Sequence, residues 1–96
     1  MLNNEQKNII IKTLKPFNPT YIGLFGSYAR NEEKLESDID ILIDLNYPTL
    51  SLFDIGGLHW DLEQQLKKKI DIAFKNKLKE DFKPTILKDL IVLFKA

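Results

Sequence analysis

The chain contains no cysteine, which removes disulfide frameworks and thiolate metal sites. Its single histidine, His59, is too little for an imidazole-based zinc site. Carboxylates are then the metal-ligating groups left in number, and they suit hard cations such as Mg²⁺, Mn²⁺ or Ca²⁺. Long hydrophobic runs are missing as well, since no stretch approaches the roughly 20 apolar residues of a membrane span. The N-terminus, Met1-Leu2-Asn3-Asn4-Glu5-Gln6-Lys7, is polar where a secretory leader would be apolar. The chain therefore reads as cytoplasmic, with no membrane partner. Net charge is absent too: 14 Lys and Arg balance 14 Asp and Glu. Nothing in that balance pulls the chain toward nucleic acid.

What is present is a chain of 96 residues, 44% hydrophobic and 29% charged. That supports one small core and leaves too few residues for a second, so a single domain over 1–96 is expected. The charge is unevenly spread. Lys67, Lys68, Lys69, Lys75, Lys77, Lys79 and Lys83 fall in the second half, as a solvated face or as a patch that meets phosphate or an acidic partner.

Patterning predicts alternating elements. Residues 4–15 read as a helix capped by Asn3 or Asn4, ended by Pro16 and Pro19. Thr20–Phe25 is short and rich in β-formers, as a buried strand is. Gly26-Ser27 is a turn, with Ser27 placed to cap a short helix through about Asn31. Residues 32–37 are polar loop. Residues 38–45 alternate as a strand, and Ser51 caps a helix over 52–67 that Gly56-Gly57 weakens. Residues 69–74 form another strand, and 78–94 read as a helix with Pro84 near its start. This order predicts an α/β (α+β) fold, a small mixed sheet of about three to four strands with helices packed on it.

The strand at 38–45 carries the first chemical signal. Side chains alternate across a strand, so Ile39, Ile41 and Ile43 share one face while Asp38, Asp40, Leu42 and Asp44 share the other. Aspartate is depleted in strands, and two adjacent carboxylates on one face raise each other's pKa. A divalent cation bound by both removes that conflict. Asp44 lies roughly 13 Å along the strand from Asp40, too far for the same ion. The second signal is Gly26-Ser27, where glycine admits a phosphate close to the backbone and the hydroxyl adds a donor. The third is Asp71 between Ile70 and Ile72, another acid on an apolar strand. Solvated acids and a plain turn would explain each signal alone. Neither a P-loop nor a dinucleotide fingerprint occurs.

Together, Gly26-Ser27-Tyr28-Ala29-Arg30 and Ser37-Asp38-Ile39-Asp40-Ile41 resemble the signature of the minimal nucleotidyltransferases of the polymerase-β superfamily. That pattern is Gly-Ser, ten residues, then Asp-x-Asp, and here residues 28–37 supply the ten. Ile70-Asp71-Ile72 resembles the third acid of that family. Asn31 stands where glycine often follows the arginine, and asparagine tolerates the left-handed conformation such a turn needs.

The resemblance implies a nucleotidyltransferase-like fold and a magnesium-dependent mechanism. Asp38, Asp40 and Asp71 would ligate one or two Mg²⁺ ions, and Asp71 could take the acceptor proton. Gly26 and Ser27 would grip the triphosphate. Arg30 would reach a phosphate or pair with an acid such as Glu33 or Glu36. A stand-alone domain of this size resembles the MNT-type antitoxins, which transfer AMP from ATP to a tyrosine of a HEPN ribonuclease toxin. A cognate HEPN-type toxin is thus the implied partner. The alternatives are an antitoxin that acts by binding alone and a small-molecule transferase of the aminoglycoside-modifying type. Trp60 is expected in the core or an interface, and His59 at the surface or as a cap. The apolar stripe Ile86-Leu87-Leu90-Ile91-Leu93-Phe94 is expected as a core face, with part left for a homo-oligomer or partner contact.

Overall fold

The computed structural model describes residues 2–78 and 83–96. Helix α1 spans Asn4–Leu14, and Asn3 caps it in a reciprocal box with Gln6. Strand β1 (Pro19–Phe25) runs antiparallel to β2 (Ile39–Leu45). Helix α2 (Leu52–Leu66) follows, with Ser51 and Asp54 forming its capping box. It crosses over to β3 (Ile70–Phe74), which lies parallel to β2. A short helix α3 (Lys83–Lys88) leads into β4 (Ile91–Lys95), antiparallel to β1. The sheet order is β3-β2-β1-β4. The α/β reading with a small mixed sheet is thus what forms.

Alternation decides which face is buried. Ile22, Leu24, Ile39, Ile41, Ile43 and Ile70 point to the side where α1 and α2 pack through Ile10, Leu14, Leu58, Leu62 and Leu66. Such a face is the expected consequence of period-2 side chains meeting period-3.6 helices. The opposite face holds Asp40, Leu42 and Asp71. Part of it is also covered, since Leu42 is fully buried. A methyl at Gly23 would lie 2.7 Å from Leu90 Cδ1 and 2.9 Å from the Tyr21 ring. Glycine at 23 therefore lets Leu90 and Tyr21 fold over this face.

Two expectations are corrected. Residues 78–94 are not one helix: α3 ends at Lys88 and 91–95 form β4, while the calls on 79–82 lie outside the described residues. The apolar spacing there fits either element. The free edge of β1 decides it, offering backbone partners to Ile91, Val92, Phe94 and Lys95. Secondly, no helix opens at Ser27. Residues 27–31 form consecutive turns, with the Ala29 and Arg30 amides donating to Gly26 O and the Glu32 amide to Ser27 O.

Ile41 is fully buried in a central strand. Ile41→Ala is expected to cost roughly 2–5 kcal/mol, read as a lowered denaturant midpoint with an unchanged m-value.

Candidate active site

Three aspartates lie on the sheet face away from α1 and α2. Asp38 immediately precedes β2 and Asp40 lies two residues on, so strand parity puts them on one side. The parallel register sets Asp40 directly beside Asp71. Their side chains share a hydrogen bond, and the Asp40 carboxyl is pushed from the ordinary 3.8 up to about 6. Partial burial is the largest cause, followed by the charge and hydrogen bond of Asp71 and then the charge of Asp38; the Arg30 cation acts the other way. Asp44 pairs with Tyr21, four residues further along β2, and stays out of the cluster.

The Gly-Ser turn is built against the same carboxylate. Gly26 has φ of 75°, and a Cβ there would run into Asp40 Oδ2. Both facts demand glycine. Tyr28, the next residue but one, is buried in the main core and pins the turn to the sheet. Asn31 takes φ of 57°, the left-handed conformation its type tolerates. Ser37 closes the loop: its hydroxyl accepts from the Lys34 amide at 2.8 Å, and its own amide donates to Lys34 O at 3.0 Å. Lys68 Nζ donates to Leu35 O at 2.9 Å and so ties this loop to the end of α2. The segment between the Gly-Ser turn and Asp38 is therefore held at several points.

Arg30 engages acids, as one of its two readings proposed, but the acids are Asp89 at 3.1 Å and Glu32 at 3.5 Å. The Asp89 hydrogen bond is the main cause that raises the guanidinium pKa. The pair links the Gly-Ser turn to the segment entering β4.

His59 and Glu63 do something sequence patterning missed. β3 is an edge strand, and the backbone of Ile70 faces outward from it. Glu63 Oε2 accepts from the Ile70 amide at 3.0 Å, and His59 Nε2 lies 2.6 Å from Ile70 O, to which it donates. His59 and Glu63 also approach each other to 3.4 Å. The Ile70 carbonyl belongs to the same peptide plane as the Asp71 amide, so this clamp fixes the backbone that carries Asp71. The i, i+4 spacing of 59 and 63 shows one helix face, but only the crossover brings that face to the strand edge.

The donor set is all carboxylate, which fits a hard divalent cation. Among the described residues no group of three or more His, Asp or Glu side chains is placed so that, as it stands, it could hold a metal ion. The Gly26 backbone borders the set at Asp40, and magnesium sites commonly complete their coordination with substrate phosphates.

The comparisons with known proteins give the family. Residues 6–93 match the family model described as a nucleotidyltransferase domain. The chain belongs to the nucleotidyltransferase family. It is 39% identical over 88 residues to the provisionally named protein adenylyltransferase MJ0435 of Methanocaldococcus jannaschii, covering 92% of this chain and 94% of that one. It is 39% identical over 70 residues to the protein adenylyltransferase MntA of Thermococcus cleftensis, covering 73% and 70% respectively. Among solved structures, a toxin–antitoxin crystallised with AMP-PNP superposes with a TM-score of 0.81 at 25% identity, over 94% of this chain and 73% of that one. The recognised family and the nucleotidyltransferase fold therefore stand, and this nucleotidyltransferase is an enzyme by family.

Asp40 binds its proton more tightly folded than unfolded, so in the metal-free nucleotidyltransferase it withdraws stability as pH rises from about 4 through about 6. Asp40→Asn is expected to flatten that part of the melting temperature–pH profile and to melt above wild type at pH 7.5 without metal. Gly26→Ala should displace the Asp40 carboxylate and strain the turn, weakening binding of a non-hydrolysable ATP analogue at least tenfold by calorimetry.

Proposed function

We propose that this chain is a Mg²⁺-dependent protein adenylyltransferase, the antitoxin of a toxin–antitoxin pair, which moves AMP from ATP to a tyrosine hydroxyl of a cognate HEPN-type toxin. The observation that carries the reading is the in-register pair Asp40 and Asp71, with Asp38 beside it and Gly26 against it. Adenylyl transfer to protein and a toxin partner are supported by the names of the relatives and of the AMP-PNP structure.

Asp38, Asp40 and Asp71 would hold one or two Mg²⁺ ions, whose charge, when bound, offsets that of the triphosphate and increases the acidity of the acceptor hydroxyl. The residues of the chain carry the rest. The backbone at Gly26 and the Ser27 hydroxyl hold the triphosphate, with the bare glycine allowing close approach. Arg30 adds positive charge near Asp40 while remaining tied to Asp89 and Glu32. Asp71 accepts the proton of the acceptor tyrosine. The tyrosine oxygen bonds to the α-phosphorus as the bond from that phosphorus to the β-bridging oxygen breaks. AMP stays on the toxin and pyrophosphate leaves.

The test is incubation of the purified chain and toxin with ATP labelled at the α-phosphate. Label on toxin tyrosine is expected with Mg²⁺, and EDTA should abolish it. Asp38→Ala/Asp40→Ala should lower transfer at least a thousandfold while leaving complex formation intact. Toxin that stays unlabelled beside folded wild-type chain with Mg²⁺ overturns the reading. Neutralisation of the toxin that survives the double substitution supports action by binding instead.

A further inference from the structure

The face of α2 that points away from the core is apolar and uncovered. Phe53 is 92% exposed, Leu52 85% and Trp60 61%. Helical spacing aligns Phe53, Gly57, Trp60 and Gln64 opposite the buried Leu58, Leu62 and Leu66. Between the two aromatics lie Gly56 and Gly57, and nothing stands within 4 Å of where their Cβ atoms would be. Glycine is unfavourable inside a helix, and a surface Phe and Trp on one face gain nothing in the isolated chain. Together they form two aromatic knobs around a bare notch of backbone, which a second helix can approach closely.

The charges beside this face select the occupant. Beside this face the charged side chains are Asp54 and Asp61, Glu63 being turned to the Ile70 amide, and no Lys or Arg falls between Leu52 and Leu66. A second copy packed antiparallel about the glycines would bring Asp61 of one chain near Asp54 of the other, acid against acid. A partner with basic residues flanking an apolar helix meets no such repulsion. We infer that the exposed face of α2, centred on Phe53, Gly56, Gly57 and Trp60, is the docking surface for an apolar helix of the partner protein flanked by Lys or Arg. The inference rests on the proposed function for the identity of that partner, the cognate toxin, and adds the surface by which it is held.

Trp60 is the only tryptophan of the chain, so chain labelled with 5-fluorotryptophan gives a single ¹⁹F resonance for this face. Addition of purified toxin should shift it and shield it from a soluble paramagnetic quencher. Phe53→Ser/Trp60→Ser should weaken the complex at least tenfold without changing ATP-analogue binding. Asp61→Lys should weaken it more at low salt than at high salt. A complex that transfers AMP while Trp60 stays accessible overturns the docking surface and leaves the proposed function standing. Trp60 buried by concentration alone, without toxin, overturns it in favour of a second copy. No complex and no transfer, with ATP analogue still bound, overturns both.

Discussion

Two carboxylates held side by side across a parallel ladder are the constraint on which the site depends. Asp40 and Asp71 are in register between β2 and β3, and like charges at that separation repel. The sheet holds them there because both backbones are anchored by pairing and burial. β2 is central and carries the buried Ile39, Ile41, Leu42 and Ile43. β3 is an edge strand, which would ordinarily be the looser of the two, yet Ile70 is buried and its outward backbone groups are taken by His59 and Glu63. The hydrophobic core thus sustains an electrostatic arrangement that is unfavourable alone, and that the proposed binding of a cation would relieve.

The Gly-Ser turn obeys the same constraint from the other side. Gly26 sits so close to Asp40 that any Cβ there would displace its carboxylate, and the buried Tyr28 keeps the turn there. Arg30 reaches Asp89, just ahead of β4. The C-terminal segment therefore supports the site through two routes, the ladder to β1 and this ion pair. Exposed ion pairs contribute little to stability, so the contribution of Arg30 is better read as orientation of the turn and charge near Asp40.

Much of this was legible in the chain. The pairing of Asp38 with Asp40 follows from strand parity, and the turn at Gly26-Ser27 follows from its residue types. Asn31 in a left-handed turn follows from its residue type. The C-terminal stripe was not legible, because Ile86, Leu87, Leu90, Ile91, Leu93 and Phe94 fit a helical and an extended pattern alike. The vacant edge of β1 selected the strand. His59 and Glu63 were equally opaque: their spacing gives a helix face, but a hydrogen bond to Ile70 exists only after α2 has crossed over the sheet.

The sequence by itself determined the alternation that separates an isoleucine face from an aspartate face, and the glycine and serine that open a turn beside it. Those are local consequences of backbone period and side-chain size. Only the tertiary structure decided that Asp71 stands next to Asp40, that Arg30 binds Asp89, and that Trp60 faces outward. Each depends on register and crossover between segments far apart in the chain, which are set by how the whole core packs.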